Sequence, residues 1–105
     1  MPVPEIDVAE LARQREAGAP LVDVRQPEEW EEFRAPGAQL VPLGELVERV
    51  DEVPSEGTVY VIYKSGGRSA KAVEFLRAQG IDAVNVAGGT LAWREAGHPV
   101  DSGPA

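Results

Sequence analysis

The chain has 105 residues, 43% of them hydrophobic, and a formal net charge of −8. That length suits one domain with a real core, and the acidity disfavours nucleic acid or an anionic membrane surface, both of which need clustered Lys and Arg. With no cysteine and one histidine, His98, disulfides and thiol nucleophiles are excluded, and no metal or other cofactor is expected.

Met1 to Glu5 has neither the basic nor the apolar region of a signal peptide. No apolar run approaches the roughly 20 residues that span a bilayer, so a cytoplasmic setting is the expectation. Residues Ile6 to Glu16 read as a first helix, with Asp7 and Glu10 spaced as a capping box and Gly18-Ala19-Pro20 ending it. Leu21 to Arg25 reads as a strand. Pro27 then opens a short acidic helix in which Trp30 and Phe33 point inward together. A turn at Ala35 to Ala38 leads to a strand at Gln39 to Val41, and a further short helix runs from Pro42 to Val50. Asp51 to Gly57 is an exposed connection.

Thr58 to Tyr63 is the strongest strand, continuously apolar and β-branched as in a strand buried on both faces. A long helix follows from Arg68 to Gly80, then a strand at Ile81 to Val86, a turn at Ala87-Gly88-Gly89 and a last helix at Thr90 to Ala96. The single domain has its core over about residues 6–100, and 101–105 reads as a frayed, disordered tail. Strands alternating with helices over short connections imply an α/β fold. Its mostly parallel sheet of roughly four or five strands carries helices on both faces.

In such sheets ligands sit beyond the carboxyl ends of the strands. The loop after the strongest strand is Tyr63-Lys64-Ser65-Gly66-Gly67-Arg68-Ser69. Two glycines let successive N–H groups turn inward, and the helix that follows brings its positive end. Ser65 and Ser69 offer hydroxyls, although Ser69 is also placed to cap the helix. Lys64 and Arg68 add positive charge to an otherwise acidic chain. These residues suit a small anion.

From about Leu21 to Val100 the chain resembles rhodanese-like domains, the small sulfurtransferase fold. The resemblance rests on Leu21-Val22-Asp23-Val24-Arg25, Pro27-Glu28-Glu29-Trp30, Pro36-Gly37-Ala38 and Pro42-Leu43-Gly44-Glu45-Leu46. It continues through Lys64-Ser65-Gly66-Gly67-Arg68-Ser69-Ala70, Gly88-Gly89-Thr90-Leu91-Ala92-Trp93 and Gly97-His98-Pro99-Val100. It implies a cysteine at the end of the central strand, whose thiolate takes up sulfur as a persulfide and passes it to cyanide or a thiol. It also implies that Arg68 is the loop arginine that stabilises the anionic sulfur. Tyr63 stands where that cysteine belongs, and Arg34 stands where many members have histidine.

A thiol of pKa about 8.5 ionises readily in a ring of N–H donors. A phenol starts at about 10, and its hard oxygen forms no persulfide. Sulfur transfer is therefore not expected of the chain as written. Three readings stay open: a module binding an anion or a protein partner, a sulfurtransferase of small sulfur anions and acceptor thiols whose cysteine is replaced in this chain, and covalent phosphoryl or sulfuryl chemistry by Tyr63 itself. Asp23, Arg25 and Arg34 are expected at the rim of the site, with an ion pair of Arg25 and Glu29 as the structural alternative. His98 is expected to be an exposed turn residue, Trp30 and Trp93 core residues. Glu28, Glu29, Glu31 and Glu32 form a solvated face that offers itself to a basic partner.

Overall fold

The computed structural model describes residues 3–65 and 67–104, with the side chains of 67 and 68 left aside. In chain order the elements are β1 (Glu5–Ile6), α1 (Val8–Glu16), β2 (Leu21–Asp23), α2 (Pro27–Glu32) and β3 (Gln39–Leu40). After two 3₁₀ turns (Leu43–Glu45 and Val50–Glu52) come β4 (Val59–Ile62), α3 (Gly67–Ala78), β5 (Ala83–Val86) and α4 (Gly89–Glu95). The strands form one sheet in the order β1-β5-β4-β2-β3, with every pairing parallel.

β4 lies at the centre because all four of its residues are apolar and buried. Side chains alternate across a strand. Val59 and Val61 therefore join Val22 and Val24 of the β2 segment beneath Ala72, Val73 and Leu76 of α3. Tyr60 and Ile62 face the other way, against Leu21, Leu11 of α1 and Trp93 of α4. The register sets Leu21 beside Tyr60 and Val22 beside Val61, so neighbours on adjoining strands share a face. Burying each such Val, Leu or Ile contributes about 1.5–3 kcal/mol. No helix among the described residues is long and apolar enough to cross a membrane.

The chain departs from the sequence reading in three places. Glu5–Ile6 is an edge strand, paired with Asn85 and Val86, and the first helix begins only at Val8. The segment read as a helix from Pro42 to Val50 is instead a pair of 3₁₀ turns. Their apolar residues fall three apart, Leu43 with Leu46 and Val50 with Val53, and all four join the core on the α3 face. That spacing matches a helix of three residues per turn. The tail is tied down: the Asp101 N–H donates to the Arg34 carbonyl, the Arg34 N–H to the Asp101 carbonyl, and the Gly103 N–H to the Glu31 carbonyl. Ala105 lies outside the described residues.

Asp7 caps α1, its carboxylate accepting from the Glu10 N–H at 2.9 Å. Asp7→Ala leaves that donor to water and is expected to lower the thermal midpoint by a few degrees without altering the folded circular dichroism spectrum.

Candidate functional site

The loop begins where β4 ends. Tyr63 continues the alternation of Val59 and Val61, and its half-buried side chain packs against the core on the α3 face. Its carbonyl is turned the other way, to the start of α4. There it accepts from the Thr90 N–H at 2.8 Å and the Thr90 hydroxyl at 3.0 Å. The Lys64 carbonyl accepts from the Leu91 N–H at 3.1 Å. Gly89 makes this approach possible. A Cβ there would stand 2.6 Å from the Lys64 carbonyl carbon and oxygen, and nearer still to the Tyr63 oxygen, on a backbone already at φ +61°.

The Lys64 and Ser65 side chains are exposed. Gly66 and the side chain of Arg68 lie outside the described residues, and Gly67 opens α3. Ser69 is fully buried inside the first turn of that helix rather than at its cap. Its hydroxyl donates to the Asn85 side-chain carbonyl. The Asn85 amide in turn donates to the Glu5 carboxylate at 2.9 Å. A chain of three polar groups thus ties the start of α3 to β5 and on to the edge strand.

Asp23 and Arg25 sit beside the loop but are not at its rim. Their side chains are 0% and 1% exposed. The Asp23 carboxylate accepts from Arg25 Nε and Nη2 at 2.9–3.0 Å and from the Arg25 backbone N–H at 2.9 Å. Arg25 Nη2 also donates to the Phe33 carbonyl at 2.7 Å. Arg25 therefore pairs with Asp23, where the sequence reading had Glu29. The Glu29 carboxylate instead accepts from the Gln26 N–H at the head of α2. Side chains two apart in extended chain share a face, and that spacing was the available signal for the pair.

Arg34 is also buried, at 6% exposure. Its guanidinium donates to the carbonyls of Trp30 at 3.0 Å and Gly103 at 2.7 Å, and lies 4.7 Å from the Trp30 ring centre. It is bound up in holding the tail to α2. Trp30 and Phe33 are half-buried, and Phe33 carries the guanidinium of Arg94 at 4.2 Å from its ring centre.

His98 is half-buried, against the expectation of an exposed turn residue. Its ring lies 4.4 Å from that of Trp93, whose Nε1 donates to the Pro99 carbonyl at 2.7 Å. The two rings border a cleft of about 340 Å³ with Arg15 and Pro36. Arg15 donates there to the carbonyls of Ala19 and Pro36, and burial holds its pKa below the usual arginine range.

Sequence reasoning passed over Thr90 and Asn85. Asn85 had a signal, a lone amide within the apolar run Ala83 to Val86. Thr90 had none beyond following two glycines.

Residues 7–96 match the family model described as "Rhodanese-like domain". The chain is 40% identical over 106 residues to the HTH-type transcriptional regulator Rv0324 of Mycobacterium tuberculosis, covering 97% of this chain and 46% of that protein. It is 36% identical over 81 residues to a protein named Sulfurtransferase from Allochromatium vinosum, covering 76% of each. The chain thus spans under half of the first relative and about three quarters of the second. The crystal structure of a rhodanese-related protein from Thermoplasma volcanium superposes with a TM-score of 0.88 at 35% identity, covering 93% of this chain and 97% of that one.

Proposed function

The chain belongs to the rhodanese-like domain family, and on that premise we propose that it is a module that binds a small oxyanion at the loop from Lys64 to Ser69 without transferring sulfur. One observation carries this reading. The residue at the end of β4, at the mouth of the loop, is Tyr63. Persulfide formation requires a polarizable thiolate that attacks the sulfane sulfur of thiosulfate and expels sulfite. A phenol oxygen has no counterpart to the S–S bond so formed. The groups that hold an anion do not depend on that thiol: the loop amides, Lys64 and Arg68 are all in the sequence. Similarity to a transcriptional regulator rather than only to enzymes supports a binding role.

The assay is conversion of thiosulfate and cyanide to thiocyanate by the pure chain. The expected rate equals that of a heat-killed control, and turnover above it overturns the reading. Binding is read separately, by titrating thiosulfate into isotope-labelled chain. A saturable movement of the Lys64 and Ser65 amide resonances is expected, and unmoved resonances at millimolar thiosulfate would sink the binding half.

The relative named Sulfurtransferase favours a second reading, in which the scaffold is a sulfurtransferase deprived of its nucleophile. Tyr63→Cys decides between them. In that variant the introduced thiolate takes the outer sulfur of thiosulfate, sulfite leaves, and cyanide removes the sulfur as thiocyanate and returns the thiolate. Robust turnover supports the second reading, and a silent variant supports the first.

A further inference from the structure

We propose that Thr90, with Gly89 making room for it, is a positioning residue that aims the backbone N–H groups of Lys64 and Ser65 into the anion-binding loop. The inference rests on the binding reading above.

All peptide bonds described are trans, and in a planar trans peptide the C=O of one residue and the N–H of the next point in opposite directions. The Tyr63 carbonyl is held toward α4 by both donors of Thr90. The N–H of Lys64 therefore points away from α4. The Lys64 carbonyl is held toward the Leu91 N–H, so the N–H of Ser65 points away as well. Two successive amides thus point the same way, away from α4, as an anion nest requires.

Thr90 fits this task. It is fully buried in the first turn of α4, and its hydroxyl fills the second lone pair of a carbonyl that its own N–H already bonds. One donor leaves a peptide plane free to rock about a single bond, whereas two from the same residue fix its orientation. Any Cβ at position 89 would push that plane away. The N–H groups of Thr90 and Leu91 are themselves taken up by these carbonyls, so the start of α4 acts as the loop's support and not as a second anion site.

Two measurements test this. In the unsubstituted chain, added thiosulfate is expected to shift the amide resonances of Lys64 and Ser65 and to leave those of Thr90 and Leu91 nearly still. The reverse pattern overturns the proposal. The second uses Tyr63→Cys as background and reads the thiol pKa from thiolate absorbance as pH is raised. This needs no sulfur transfer, so it reports on the support even if the variant proves inactive. Adding Thr90→Ala is expected to raise that pKa by about one unit, because misdirected amides stabilise the thiolate less, and Thr90→Ser is expected to restore it. An unchanged pKa in a folded Thr90→Ala variant, with the thermal midpoint as the folding control, would show that Thr90 only packs.

Discussion

Asp23→Ala is expected to remove about 3–5 kcal/mol of stability, a large share of the roughly 5–15 kcal/mol that holds a domain of this size together. Arg25 is 1% exposed and cannot swing out to water. Without its partner the guanidinium keeps the Phe33 carbonyl at 2.7 Å but loses its counter-charge and three hydrogen bonds. The Arg25 backbone N–H loses its acceptor in the same stroke. The measurement is the urea midpoint against the parent chain. Asp23→Ala combined with Arg25→Met removes both charges and is expected to recover much of the loss, since breaking a buried pair costs more than deleting it. A single variant within 1 kcal/mol of the parent by the same titration contradicts this account.

Gly89→Ala is expected to be the most damaging single-methyl change among the described glycines. Two costs combine there. A non-glycine residue at positive φ costs roughly 1–2 kcal/mol, and the new Cβ would meet backbone that is hydrogen-bonded in place. Its nearest neighbours are carbonyl groups of Tyr63 and Lys64, not the end of a flexible side chain. Gly97→Ala separates the two terms. Gly97 has φ +84° and open space around the added carbon, so it bears only the conformational cost. The thermal midpoint of Gly89→Ala is expected to fall well below that of Gly97→Ala, and equal midpoints would mean that the 63–64 backbone yields without penalty.

These two sites mark where the sequence spoke clearly and where it did not. β4 was legible because continuous Val, Tyr and Ile side chains suit a strand covered on both faces, and Gly80 and Gly97 punctuate the helices they end. β1 was invisible because two residues cannot display a period, and its pairing partner lies in β5. The 42–52 segment misled because a three-residue apolar spacing fits one turn of either helix type. The connection from β4 to α3 was legible as a glycine-rich turn, since its glycines and cations have local meaning. The lone amide of Asn85 and the two-residue spacing of Asp23 and Arg25 were local signals passed over, whereas Thr90 was not legible, because its contact with the Tyr63 carbonyl exists only when segments 27 residues apart meet. Arg34 and the tail failed for the same reason: a carbonyl at Gly103 waiting for a guanidinium leaves no mark on composition.

The edge strand has a consequence for how the molecule is made. Glu5 and Asn85, bonded through their side chains, are 80 positions apart, and every rung of the sheet is parallel and so joins segments separated by a crossover. During synthesis the first strand must idle, its amides solvated, until β5 has left the ribosome. Loop-closure entropy opposes that final docking most. Assembly from the middle outward is the expected order, with the N-terminal edge zipped on late, at the slower pace of topologies that lack local pairings.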